Sequence, residues 1–226
     1  NGEGSLESAV AGDYQWRIGE VLQQAMQHTQ QNFQPMALAT LIYLSVGWAI
    51  FLFVNHWLGD FSQAVERADQ DAIRRWGLVF TVISFPLLKP LQIGLQMLAV
   101  RYLSQQKPAF WWVFFYWGGM LWRVALLAAL TYAIESMGFM LIIPGIYLSI
   151  AYLFALYLLV DHKLSVWQAL ETSRKAVTHQ WFKFFGLMLL LGLLNIAGAL
   201  FFLVGLLWTL PMSYIALGIV YRKVFG

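Results

Sequence analysis

The chain of 226 residues contains no cysteine, and only 11% of it is charged. The first absence removes disulfides, thiolate metal ligands and thiol catalysis together. The second rules out an ordinary water-soluble domain, which carries about 25% charged residues. The eleven acidic residues fall in terminal segments, loops and the ends of apolar stretches, so paired carboxylates for intramembrane acid–base work are missing. There is no Gly-x-Ser-x-Gly elbow, no Gly-x4-Gly-Lys-Ser/Thr loop and no His-Glu-x-x-His helix. The histidines, His28, His56, His162 and His179, are not spaced as ligands on one helix face. The sequence therefore predicts no enzyme, no metal and no cofactor. Net charge is +3 with a pI near 9.2, but no basic run interleaved with aromatics suggests nucleic acid. Asn1 to Gly12 lack the basic start and apolar core of a cleavable signal, and residues 1–13 read as a polar N-terminal segment.

What is present is apolar surface: 60% hydrophobic residues, 17% aromatic, and a mean hydropathy of +0.65. A spanning helix needs about 20 apolar residues, and six stretches qualify: Pro35–Leu58, Trp76–Val100, Ala109–Ile134, Gly138–Val160, Phe182–Leu203 and Leu206–Lys223. The last two come from one run divided near Val204 and Gly205. Nine basic residues fall on one side of this arrangement (Arg17, Arg101, Lys107, Lys163, Arg174, Lys175, Lys183, Arg222, Lys223), and three on the other (Arg67, Arg74, Arg75). Positive residues mark the cytoplasmic side, so both termini are expected inside. Gly59–Arg75 becomes the main external loop and Glu135–Met137 a short external turn, with no room for a folded ectodomain. The expected fold is an all-α polytopic membrane domain over residues 35–226.

Two polar segments keep helical apolar spacing. In Leu164–Trp181 the stripe is Trp167, Leu170, Ser173, Val177 and Trp181; in Tyr14–Phe33 it includes Leu22, Ala25, Thr29 and Phe33, at a constant offset of 148. Each precedes a span. They are expected to be cytoplasmic interfacial helices, the first over residues 14–34, and the offset suggests a repeated unit of amphipathic helix plus hairpin.

Two cations interrupt the apolar stretches. Lys89 and Arg123 lie near the middle of the second and third spans, where a charge costs about 2.5–3.5 kcal/mol or more. No acid lies at that depth on this reading; Glu135 is twelve residues beyond Arg123, about 18 Å along a helix. Either the pair forms a site for an anionic headgroup or solute, or each snorkels or donates to carbonyls freed by helix breaks. Lys89, between Pro86 and Pro90, suits the second role, and Arg123, beside Gly118 and Gly119, the first. Pro144, Gly145 and Pro211 are further breakers, a device transporters use and other membrane proteins also tolerate.

The stretch Ile142-Ile-Pro-Gly-Ile-Tyr-Leu148, continuing through Tyr152, Leu159-Val-Asp161 and Ala169-Leu-Glu-Thr-Ser-Arg174, resembles the YciC-like group of uncharacterised bacterial inner-membrane proteins. Pro90-Leu-Gln-Ile-Gly94 and Gly205-Leu-Leu-Trp-Thr-Leu-Pro211 are similar too, and the resemblance covers about residues 86–226. Gly2–Phe33 resembles the head of a related gammaproteobacterial subgroup. The resemblance implies six spans in the inner membrane and no established reaction or cofactor. In physical terms Pro144 can start a helix and Asp161 can cap the next one. The expected role is a membrane-homeostasis or accessory protein contacting lipids, anionic ones included, a membrane-protein partner or a second copy. The alternative is a transporter or lipid-handling protein with Lys89 and Arg123 at the ligand.

Overall fold

The computed structural model describes residues 4–106, 108–114, 119–200 and 204–226, and these are helical throughout, with no strand among them. Lys107, Gly118 and the end of the fifth expected span lie outside the described residues. Helix α1 (Leu6–Ala11) opens on a reciprocal cap between Ser5 and Ser8 and stops at Gly12, at φ +79°. A left-handed residue costs glycine nothing. Helix α2 (Ile18–Gln31) is joined through the single residue Asn32 to α3 (Phe33–Leu58), with Pro35 in the first turn, where no amide partner is lost. The carboxylates of Asp60 and Asp69 accept amides at the starts of α4 (Phe61–Glu66) and α5 (Gln70–Leu103). A 48° bend divides α5 into Gln70–Phe85 and Leu87–Leu103, at the proline that has no amide to donate. A 3-10 turn, Phe110–Phe114, precedes α6 (Leu121–Phe139), α7 (Ile143–Ala151), α8 (Ala155–Asp161), α9 (Val166–His179), α10 (Trp181–Leu200) and α11 (Leu206–Phe225).

Among the described residues three helical segments are long and apolar enough to cross a membrane: α3, the Ile143–Asp161 stretch formed by α7 and α8, and α10; the bent α5 raises the number to four. α3 ends at Leu58 and α11 starts at Leu206, where sequence puts them, and α3 starts two residues before the expected Pro35. The middle of the chain departs from expectation. Ala109–Ile134 is not one helix: α6 starts only at Leu121 and runs five residues past Ile134, and Glu135–Met137 lie inside it rather than in a turn. The turn is Met140–Ile142. Gly138–Val160 is likewise broken at Tyr152–Phe154. Pro144 does sit in the first turn of α7. Asp161 caps nothing: Ser165 and Gln168 form the capping box of α9, and Asp161 instead accepts a hydrogen bond from the Tyr221 hydroxyl at 3.0 Å.

The core forms around α11, whose residues from Pro211 to Tyr221 are all buried. Four rings surround Phe154: Tyr157 and Phe225 at 5.7 Å, Phe184 at 5.8 Å and Tyr221 at 5.9 Å. The N-terminal segment closes one end of this core. Gly4 donates its amide to the Arg222 carbonyl at 3.2 Å, the His179 ring bonds the Val10 carbonyl at 2.9 Å, and Tyr14 donates to the Ala176 carbonyl at 2.6 Å. A second cluster, Ile50, Val54 and Trp76, joins α3 to the first half of α5, where Trp76 donates to Asn55 at 2.9 Å.

The offset of 148 extends beyond the few positions that suggested it. Helices α2 and α9 are both 14 residues long and start at Ile18 and Val166. Single residues follow them, Asn32 at φ −120°, ψ 26° and Gln180 at φ −131°, ψ 36°. Then α3 and α10 begin, at Phe33 and Trp181. Buried positions keep step: Val21 with Ala169, Ala25 with Ser173, Thr29 with Val177, Met36 with Phe184, Ala39 with Leu187 and Ile50 with Gly198. Trp167, placed on the stripe by spacing, is instead exposed. The surroundings of the two copies differ, since α2 packs along α11 while α9 packs on α8 and α7.

Candidate functional site

Lys89 is half-buried on the second half of α5 and donates to Gln92 Oε1 at 3.2 Å, one turn along the same helix. The acid absent from the linear reading arrives from α6, because Glu135 stands within electrostatic range of the Lys89 ammonium. Arg123 lies at the other end of α6, its guanidinium carbon 5.4 Å from the Trp122 ring centroid. Twelve residues, about 18 Å of helix, separate it from Glu135. Lys89 thus stands near Glu135, toward the end of α6, and Arg123 near its start.

A polar pocket of about 570 Å³ opens elsewhere, where the segment after α1 meets the start of α10. Its charged lining is Asp13, Arg17, Glu20 and Lys183. Two backbone-anchored side chains shape it. Gln180, the junction residue between α9 and α10, donates to the Tyr14 carbonyl at 2.7 Å and accepts from the Lys183 ammonium at 3.0 Å. The Tyr14 hydroxyl is pinned to α9 by its bond to Ala176, and burial pushes its pKa above the usual phenol value, so it remains a neutral donor. Trp16 forms the rigid wall: it is 3% exposed, and its ring centroid lies 5.1 Å from that of Phe184. Arg17 reaches Glu20 at only 3.5 Å and stays 84% exposed, free to turn toward a ligand.

With two cations and two carboxylates, the lining is charge-neutral, which suits a group carrying both phosphate and amine. Arg and Lys supply donors to phosphate oxygens, and the acids supply acceptors to an ammonium. Beside the pocket begins α10, with Phe182 83% exposed and Leu189, Leu193 and Ile196 exposed farther along. The headgroup-sized pocket thus stands at the root of an apolar surface fit for acyl chains. A second cavity, about 670 Å³ and almost wholly apolar, lies between Leu41, Gly47 and Trp48 of α3, Leu88 of α5 and Leu207 of α11.

Spacing had marked Arg17 and Lys183 only as topology determinants, because the bond that brings their segments together, from Gln180 to Tyr14, joins residues 166 positions apart. Another group missed in sequence gathers at α8 and α11: Asp161, Tyr157 and His162 around Tyr221, with Tyr157 and Tyr221 rings stacked at 5.0 Å. The other histidines stand apart, and no group of three or more His, Asp or Glu among the described residues is placed to hold a metal.

Fold and surface together define an all-helical protein with membrane-compatible apolar helices. Comparison with family models, curated proteins and solved structures finds no match.

Proposed function

We propose that this chain is a multi-pass protein of a bacterial inner membrane that works without catalysis, by holding phospholipid at the pocket beside α10. The observation that carries the reading is the juxtaposition of a charged, headgroup-sized pocket with an exposed apolar helix. A cytoplasmic position for the pocket, and for both termini, follows from the distribution of basic residues in the sequence, and so does membership of a YciC-like group from its motifs. Six crossings would require α6 and α11 to cross as well. Partners on this reading are membrane lipids, a second copy or another membrane protein, and not nucleic acid.

A second reading, a transporter or lipid-handling protein, draws support from the repeated α2–α3 and α9–α10 units, because many transporters are built from internal repeats. Lys89 and Arg123 would then act at separate points, not as one clamp.

The test is native mass spectrometry of the detergent-purified protein with phosphatidylethanolamine and phosphatidylglycerol added in turn. Bound lipid that falls at least tenfold in an Arg17→Ala, Lys183→Ala double variant supports the pocket. A wild-type monomer that holds neither lipid and copurifies with no partner refutes it.

A further inference from the structure

The turn between α6 and α7 carries no polar side chain, yet it is the most exposed apolar stretch described: Met140 84%, Leu141 73%, Ile142 66% and Ile143 78%. Water would not tolerate such a turn without a partner. Its backbone is prepared for a medium without water. Leu141 donates to the Gly138 carbonyl at 3.0 Å, Ile142 to Phe139 at 3.1 Å and Ile143 to Leu141 at 2.7 Å, while Pro144 has no amide to satisfy. Backbone groups in hydrocarbon must be paired internally. The hairpin is also tight, since a Cβ on Gly145 would stand 2.6 Å from the Phe139 amide nitrogen.

How deep the turn reaches is set by α9. That helix lies antiparallel along α8 and α7: Ser173 Oγ bonds Ala151 and Phe154, and near the end of α9 the Thr178 hydroxyl meets the Tyr147 hydroxyl at 2.8 Å. Its outer side bears Gln168, Glu171, Arg174 and Lys175, with Glu171 bridged to both cations, so α9 stays out of hydrocarbon. Trp181, the first residue of α10, donates to the Tyr147 carbonyl at 3.3 Å, an aromatic pair suited to the boundary. Between Tyr147 and the start of α7 lie only four residues, about 6 Å at 1.5 Å per residue, whereas a crossing needs about 30 Å.

We propose that α6 and α7 form a re-entrant hairpin, whose apolar turn Phe139–Ile143 inserts among the acyl chains of the leaflet adjoining α9 and returns without crossing. The inference rests on the reading of α10 as a bilayer crossing that begins at Trp181. It replaces two of the six crossings suggested by sequence and leaves both termini on the same side.

Because the chain has no cysteine, single-cysteine variants of these 226 residues test this in a bacterial membrane. Leu141→Cys, with Met140→Cys as a second variant, is treated with a membrane-impermeant maleimide from each side; Ala68→Cys and Gln106→Cys report the two aqueous faces. The expected result is no labelling at 140 or 141 from either side, full labelling after SDS, and a nitroxide at 141 that collides more with oxygen than with a water-soluble nickel chelate. Labelling from the face that reports position 68 overturns the inference in favour of a crossing. Efficient 141–141 cross-linking between copies overturns it in favour of a protein-covered turn. Release of the chain by alkaline carbonate would instead remove the underlying membrane reading, and the inference with it.

Discussion

Substituting Ser173 by alanine should cost the protein far more than one exposed hydroxyl would. Where α7 breaks into α8, Tyr152, Leu153 and Ala155 keep backbone partners, at the carbonyls of Leu148, Ile150 and Tyr152. Phe154 and Ala151 are served by the side chain of Ser173 on α9, whose Oγ accepts the Phe154 amide at 3.2 Å and donates to the Ala151 carbonyl at 2.8 Å. Ser173 and Phe154 are both fully buried. Alanine leaves a donor and an acceptor unpaired in a dry site, at about 1–3 kcal/mol for each group. A net loss of about 2–4 kcal/mol follows, or about 30- to 700-fold in the folding equilibrium at 1.4 kcal/mol per decade. Reversible SDS unfolding in mixed micelles would measure it. Thr178→Ala on the same helix is the comparison: its hydroxyl bonds the Arg174 carbonyl and Tyr147 but is exposed, so water replaces it and the loss should stay under about 1 kcal/mol. If Ser173→Ala falls within about 0.5 kcal/mol of wild type, a ring of neighbouring side chains and not this hydroxyl holds the break.

Lys89→Met removes the donor to Gln92 and the counter-charge of Glu135, and should destabilise by about 1–3 kcal/mol, whereas Arg123→Met should stay within about 0.5 kcal/mol; the same SDS titration compares them, and equal losses would refute the contrast. Gly145→Ala puts a methyl 2.5 Å from Phe139 Cγ and should cost about 1–3 kcal/mol, while Gly192→Ala, with no atom within 4 Å, should be neutral or stabilising in the same assay. On α9, hydrogen bonds from Arg174 at 2.8 and 2.9 Å, with Lys175 nearby, hold the Glu171 carboxyl below its usual pKa. Its contribution is therefore present above the ordinary carboxylate range and lost as pH falls through the lowered value. Glu171→Gln should flatten that part of the acid limb of a pH–stability curve by under about 1 kcal/mol.

Sequence located elements whose ends are written in local chemistry. Pro35 and the long run behind it mark α3, the spacing of Leu170, Ser173 and Val177 marks α9, and Gly205 marks the start of α11. It failed where no local mark exists. The turn at Met140–Ile142 is spelled entirely in apolar residues, so hydropathy passes through it without a dip and places the reversal at the nearest polar letters, Glu135 and Ser136. That Glu135 comes within electrostatic range of Lys89, and that Arg17 and Lys183 line one pocket, depends on how helices return to one another, which no spacing along the chain records. Asp161 illustrates a third kind of failure: a carboxylate four residues ahead of a helix looks like a cap, but Ser165 is better placed, leaving Asp161 available to a tyrosine from α11.

The register shared by α2 and α9 keeps the inward positions alike and leaves the outward ones to differ. Inward positions hold to small or apolar residues in both copies, as at Ala25 and Ser173 or Thr29 and Val177. At outward positions α2 carries Gln23 and Gln27 where α9 carries Glu171 and Lys175, and exposed Met26 where α9 carries Arg174. Two helices of like register thus carry chemically unlike exteriors. Glutamine faces bind their like through paired amides that salt does not weaken, whereas an ionic face answers to charge and ionic strength. The α9 exterior is thus the one of the two whose electrostatics respond to ionic strength.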